Sequence, residues 1–444
     1  MCFISVNRTG VTCLLASFSL SAVPAGAQQP AGPAEPLRLS TLLEAVERTH
    51  PRLDAARALE RAARAKIAGA TRPPDPQLQL GWMNYELFSL KPMEGIGMTQ
   101  LQLMQMLPLG GKLRLAGLAE STRADAAGVR VSAVASDLRA RAAMAFYELY
   151  AIDGSLMTMH ATRRLLQDVA AVAAKMYEVG EGRQADVLRA QVEIARMDED
   201  LIRMGAMRET MVARLNALRG SAHDAPIHAL SMPVFPQAVP TLDSLVPLAD
   251  RERPMLRAAA LDVEAAAASA RVAEREIWPD LQVGVQYGQQ PGPEGAQRMG
   301  SIMLGASLPV FARQRQYQMR EEANAMRAMA AAELAAMRAE SQGALGEALA
   351  ALGRAQRLSV FYRTAVLPQS EAAVSSALAA YRVGAVDFMS LLDAQMTRGR
   401  YLQELYALDA DEGKAWAELE MLTGGEFVDA HSERGIRSPG GSPQ

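Results

Sequence analysis

Cysteine is almost missing from this chain. Its 444 residues hold two, Cys2 and Cys13, and both fall in an N-terminal segment with the marks of a secretory signal. Arg8 precedes an apolar run from Val11 to Val23, and Ala25-Gly26-Ala27 before Gln28 satisfies the small-residue rule of a signal-peptidase site. Residues 1–27 are therefore read as a signal peptide, which leaves a mature chain with neither disulfide nor thiolate chemistry. An uncleaved anchor is the alternative, but the apolar run falls short of the ~20 residues a span needs. A lipidated Cys13 would follow Gly10-Val11-Thr12, a poor lead-in for lipoprotein processing.

Other absences narrow the class further. The formal net charge is only -3, and without a basic stripe a nucleic-acid partner is not expected. Aromatic residues make up 5% of a chain that is 50% hydrophobic; the balance is rich in alanine, which suits helices lying close together along their length. Beyond residue 27 no apolar stretch reaches about 18 residues, so no transmembrane helix is expected. An exported chain of this kind is either soluble or crosses a membrane as a β-barrel. No active site can be assembled from the 5 histidines and no mature cysteine. His223 and His228 flank Asp224 but lack further ligands, and His50 and His160 stand alone in helical runs. The glycine-rich segment from Gly284 to Gly295 lacks the lysine and helix start of a phosphate loop and reads as strand plus surface loop. The chain is thus read as no enzyme and as carrying no cofactor.

What is present is a repeat. Tyr177-Glu178-Val179-Gly180 and the following Leu188, Ala190 and Gln191 return at one constant offset as Tyr381-Arg382-Val383-Gly384, Leu392, Ala394 and Gln395. His50-Pro51-Arg52-Leu53 matches Arg253-Pro254-Met255-Leu256, and Pro76-Gln77-Leu78-Gln79-Leu80-Gly81 matches Pro279-Asp280-Leu281-Gln282-Val283-Gly284. Leu107-Pro108 matches Leu308-Pro309 after a small slip. These landmarks divide the chain into a linker (28–38), a first repeat (39–220), a proline-rich linker (221–240), a second repeat (241–423) and a tail read as disordered (424–444).

Within each repeat the hydrophobic period changes. The first repeat opens on a helix-favouring run from Leu42 to Arg72, with Ser40 or Thr41 as cap and Glu44 placed to close a capping box onto Thr41. Residues 77–83 and 99–107 then alternate apolar and polar, the two-residue period of a strand, as do Leu281 to Gly288 and Ser301 to Leu308. Four strands of about 7 to 10 residues have the length of tilted barrel staves, yet four cannot close a barrel, so other copies of the chain must complete it. Soluble hairpins capping a helical bundle are the alternative reading. From Gly111 to Glu178 no proline occurs, which allows a helix of about 100 Å. The run from Gln184 to Arg219 is about half as long. Arg313 to Tyr381, Leu245 to Ile277 and Phe388 to Leu422 repeat these proportions, with Pro368 expected to kink the second long run.

This order of parts, with the paired Tyr-x-Val-Gly...Leu-x-Ala-Gln turns and the segment Gln105-Met106-Leu107-Pro108-Leu109-Gly110-Gly111-Lys112, resembles the TolC family of outer-membrane efflux proteins over about residues 40 to 423. The resemblance implies a mainly α fold with a small β part. Duplicated long helical hairpins form an α-barrel tunnel, and four strands per protomer contribute to a trimeric, twelve-stranded transmembrane β-barrel set in outer-membrane lipid. It implies a passive export duct for small molecules or metal ions, coupled through a periplasmic adaptor to an inner-membrane pump of the RND type. It places the turns at a periplasmic tip, with Tyr177, Val179, Gly180, Tyr381, Val383 and Gly384 at the adaptor-docking end. It also places a constriction at the second turn, where Asp393 keeps one acidic position, Ser390 replaces another and Asp387 stands nearby. A protein-secretion duct of the same build is one alternative, and a periplasmic coiled-coil scaffold is another.

Methionine, at 25 residues, is the remaining signal. Those at helical spacing are core filler, but by parity Met83, Met104, Met106, Met299 and Met303 fall on the polar strand faces. Thioethers suit Cu(I) and other soft ions. The Leu107–Lys112 segment is similar to the heavy-metal branch of the family, which makes metal-ion export a sub-hypothesis.

Overall fold

Proline and glycine punctuate the chain in a computed structural model that describes residues 36–86, 92–93, 97–292, 295–429 and 433–434. The expected signal peptide, with Cys2 and Cys13, lies outside the described residues. The first half runs through β1 (Leu37–Arg38), α1 (Leu39–Thr49), α2 (Pro51–Ala70), β2 (Gln77–Met83), β3 (Met98–Leu107), α3 (Lys112–Glu178) and α4 (Gln184–Leu218). After β4 (Leu230–Pro233) come α5 (Leu242–Glu252), α6 (Pro254–Arg275), β5 (Leu281–Gly292), β6 (Gly295–Ala306) and α7 (Gln316–Phe361). A π-turn (Tyr362–Val366) leads into α8 (Leu367–Arg382), followed by α9 (Phe388–Thr423) and β7 (Glu433–Arg434). The fold is mainly helical, with few strands.

Several expectations need correction. The shorter helical run that opens each repeat is two helices, parted at His50-Pro51 and at Arg253-Pro254, whereas α4 and α9 are single helices. A proline ring disfavours the helical region for the residue before it, and His50 (ψ 121°) and Arg253 (ψ 116°) are both extended. His50 is therefore not inside a helix. Its Nδ1 accepts from the Arg52 N–H at 3.2 Å and caps α2. No capping box forms at Thr41 and Glu44, because α1 begins earlier, at Leu39, and the Thr41 hydroxyl donates instead to the Arg38 carbonyl at 2.9 Å. The earlier start follows from β1, whose Leu37 and Arg38 pair in parallel with Leu230 and Ser231 of β4.

The linkers and tail are likewise not wholly irregular. Residues 28–38, 221–240 and 424–444 each supply one strand to a small sheet ordered β1-β4-β7. The first tail residues are tied down as well: the Glu420 carboxylate accepts from the Phe427 and Val428 N–H groups, both at 2.8 Å. At Pro368 the long second run passes through the π-turn. The ring lacks the N–H owed to the Thr364 carbonyl, and a widened turn accommodates the lost bond.

The larger sheet has the order β2-β3-β5-β6, antiparallel throughout, with β2 and β6 at its edges. The glycine-rich segment is strand as far as Gly292, which pairs with Gly295, so β5 and β6 are 12 residues each and longer than expected. The register puts Gln77, Gln79, Gln100, Gln102, Gln282, Gln286 and Ser301 on one face. Leu78, Leu80, Leu101, Leu103, Val283, Val285, Ile302 and Leu304 lie on the other. That apolar face is open: Leu78 is 67% exposed and Ile302 79%. Among the described residues no helix is long and apolar enough to cross a membrane.

Lys112, the first residue of α3, joins the sheet to the helices. Its ammonium is buried and donates to Asp280 Oδ1 (2.8 Å) and the Trp278 carbonyl (3.0 Å), with Glu276 Oε2 at 3.5 Å, all on the stretch between α6 and β5. Further along, α3 packs on α2, α4, α6 and α9 around a core that includes Phe146, Tyr147, Leu149, Leu352 and Trp416. The contact with α9 is reciprocal. A β-carbon at Gly154 of α3 would lie 2.3 Å from the Tyr406 ring of α9, and one at Gly413 of α9 would lie 2.5 Å from the Tyr147 ring of α3. Gly413→Ala is therefore expected to destabilise the protein. Overpacking against a fully buried ring costs about 1–3 kcal/mol, more than the ~1 kcal/mol that alanine gains in a helix. Gly205→Ala, on α4 where a β-carbon meets open space, should have the opposite sign. Thermal unfolding of the detergent-solubilised variants distinguishes the two.

Candidate functional site

Two regions carry the candidate residues: the helical turns and the polar face of the larger sheet. The turns share one backbone construction. After α3, the Glu181 N–H reaches the Met176 carbonyl at 2.9 Å across Gly180, and after α8 the Ala385 N–H reaches the Ala380 carbonyl at 2.9 Å across Gly384. This six-to-one closure needs a left-handed residue at its centre, and Gly180 (φ +80°) and Gly384 (φ +72°) supply it without a Cβ clash. The two hairpins meet in an apolar cluster of their own, with Leu166, Val169 and Ala173 from α3, Ala190 and Met197 from α4, and Phe388, Leu391 and Leu392 from α9.

The side chains of the two turns differ. Tyr177, Val179 and Val383 project into the open, Val383 at 78% exposure. Tyr381 aligns with Tyr177 in sequence yet is turned inward. It is 8% exposed and stands edge-on to Phe388 at 6.0 Å. Burial pushes its hydroxyl pKa up, and the Asp186 carboxylate of the other hairpin adds to the effect.

Asp387 caps α9. One carboxylate oxygen accepts from the Ser390 N–H at 3.1 Å and from the Ser390 hydroxyl at 2.5 Å. The Ser390 hydroxyl, then its backbone N–H, holds the Asp387 carboxyl below the usual carboxylate range, and Arg189 of the first hairpin contributes. Arg183, which precedes α4 at the position matching Asp387, makes no side-chain cap. Of the three residues expected near a constriction, Asp387 and Ser390 thus bind each other, and Asp393 lies exposed farther along α9.

On the sheet, the register brings Met83, Met104, Met106, Met299 and Met303 onto the glutamine face. A sixth methionine, Met98, belongs with them, since it pairs with Met83. Met98 is the first residue of β3, one before the alternating run that starts at Thr99.

The family model for outer membrane efflux proteins matches the chain twice, over residues 42–221 and 245–425. The chain belongs to the outer membrane efflux protein family. As such it is an outer-membrane efflux channel component, and its solved neighbours are outer-membrane channels. VceC from Vibrio cholerae superposes with a TM-score of 0.76 at 22% identity, over 88% of this chain and 96% of that one. CusC, whose structures concern folding and transmembrane channel formation, gives 0.75 at 17% identity over 87% and 92%. The open state of the Neisseria gonorrhoeae MtrE channel gives 0.73 at 16% identity over 88% and 89%. A comparison with curated proteins finds no match.

The cap in this efflux protein is sensitive to pH in a defined direction. Because the folded-state pKa of Asp387 is depressed, the capping interaction is fully present above the ordinary carboxylate value of 3.8 and is lost as pH falls through the lower folded value. At neutral pH, Asp387→Ala should speed hydrogen exchange at the Ser390 amide several-fold over wild type, and the difference should vanish in acid. Equal rates at neutral pH would mean that the cap contributes nothing.

Proposed function

We propose that three copies of this chain close one export duct. Each contributes its four-stranded sheet to a twelve-stranded barrel in outer-membrane lipid and its duplicated helical hairpins to a tunnel that extends into the periplasm. The observation that carries this reading is the larger sheet. It has a glutamine face, an exposed aliphatic face and two edge strands whose outer backbone groups need partners. In hydrocarbon an unpaired N–H or C=O costs several kcal/mol, so pairing β6 of one copy with β2 of the next removes the penalty all the way around. The aliphatic face then meets lipid and the glutamine face meets water.

The glycine turns form the opposite end. Their exposed apolar residues, Tyr177, Val179 and Val383, suit docking of a periplasmic adaptor that couples the duct to an inner-membrane pump of the RND type, and Tyr381 serves there as packing beneath the surface. The duct itself is passive. Asp393, exposed near the start of α9, forms a ring of three carboxylates at the narrow end and favours cations.

Fractionation and electrophysiology test this. The protein should be recovered from the outer membrane as a detergent-requiring trimer that conducts in planar bilayers; a soluble monomer would sink the proposal. Asp393→Ala should raise single-channel conductance or weaken cation preference, and a variant unchanged in both would place the constriction elsewhere.

A further inference from the structure

Strand β5 has two buried residues, Gly284 and Gly288, in a burial pattern otherwise half-buried or exposed. Both lie on the glutamine face, and both are covered by methionine. A β-carbon at Gly284 would lie 3.2 Å from Met104 Cγ on β3 and 3.6 Å from Met303 Cε on β6, and these two are its direct cross-strand partners. A β-carbon at Gly288 would lie 2.8 Å from Met98 Sδ on β3, and Met299 is its direct partner on β6. Each glycine is thus the floor of a notch beside methionine: Met104 and Met303 border Gly284 from the two neighbouring strands, Met98 lies over Gly288 with Met299 at the paired position on β6, and the two notches sit four residues apart on one strand.

We propose that these notches are binding sites for soft monovalent cations, Cu(I) or Ag(I), set along the lumen wall. Two methionines per notch, one from each neighbouring strand, match the low coordination number and softness of such ions, and thioethers select against Zn(II) and harder divalent cations. A thioether carries no proton to lose, so the sites hold across the pH range in which histidine or thiol ligands would titrate. Glutamine side chains beside the notches, among them the hydrogen-bonded Gln100 and Gln286, offer neutral oxygen ligands. Without an anionic ligand, binding is weak and release easy, which a passive duct with successive sites requires. Leucine would fill the same notches equally well as plain packing, and that is the comparison to make.

The inference rests on the duct reading for placing this face in the lumen, but the sites can be tested independently. The purified trimer is titrated with Ag+ alone and its silver environment read by X-ray absorption. A sulfur shell is expected. Removing a direct ligand should cost at least as much as removing an outer-shell partner, so Met104→Leu with Met303→Leu should weaken Ag+ binding about tenfold or more. Adding Met98→Leu and Met299→Leu should abolish the sulfur shell. Met326→Leu with Met329→Leu on α7 should change nothing. A silver shell without sulfur, or equal affinity in wild type and the fourfold variant, would overturn the sites. Potassium conductance of the same preparations keeps the two readings apart. Silver bound without conduction would sink the duct and leave the sites; conduction with silver affinity unmoved by four substitutions would do the reverse.

Discussion

A four-stranded antiparallel sheet has two edges, and here they are β2 and β6. In water such edges are a manageable liability; beside lipid they are not, because no solvent is present to satisfy the open backbone groups. The aliphatic face from Leu78 to Leu304 cannot be returned to water without exposing a large apolar patch. Each remedy for one problem is a remedy for the other: a closed ring of sheets in a membrane pairs the edges and covers the patch at once. The long helices follow from the connections, since the ends of β2, β3, β5 and β6 away from the hairpin loops lead to α2, α3, α6 and α7.

That continuation depends on the joint at Lys112. The ammonium of the first half's strand-to-helix junction is buried among Glu276, Trp278 and Asp280 of the second half's helix-to-strand junction. A buried charge of this kind adds little net stability, because desolvation offsets the attraction. What it does is fix direction: the donors of one ammonium must meet acceptors on a different segment, so the start of α3 is locked to the entry of β5. Gly110 contributes by leaving room for Trp278, whose ring would be 3.3 Å from a β-carbon there.

Much of this was legible in the sequence, for physical reasons that differ between elements. The bounds of α3, α4 and α9 were visible because Gly180 and Gly384 are sharp stops and no proline interrupts α3, α4 or α9. The strands were visible because one face is aliphatic and the other glutamine, the strongest form of a two-residue period. The breaks at His50 and Arg253 lay in plain view before their prolines, but the helix-favouring apolar period before each and the alanine-rich run after it masked them. The small sheet was not legible at all: strands of two and four residues carry no period, and their pairing joins segments nearly 200 residues apart or more. The reciprocal fit of Tyr147 and Tyr406 onto Gly413 and Gly154 was also hidden, because it requires knowing that α3 and α9 run side by side. At the candidate sites, parity found five methionines but not Met98, nor the glycine floors that give those methionines a common geometry.

The two hairpin turns share one sequence frame and differ in their side chains. Gly180 and Gly384 close the same backbone motif, so neither turn is the more rigid by construction. The side chains break the symmetry. Where the first copy has Arg183 and Arg189, the second has Asp387 and Asp393; where the first leaves Tyr177 in the open, the second buries Tyr381 against Phe388. Arg189 lies near enough to Asp387 to favour its charged form, so one basic residue of the first hairpin leans electrostatically on an acidic residue of the second. Such pairing between exposed groups is weak and screened by salt. The apolar cluster behind the turns keeps the hairpins associated, and the charged residues in front add only a screened contact.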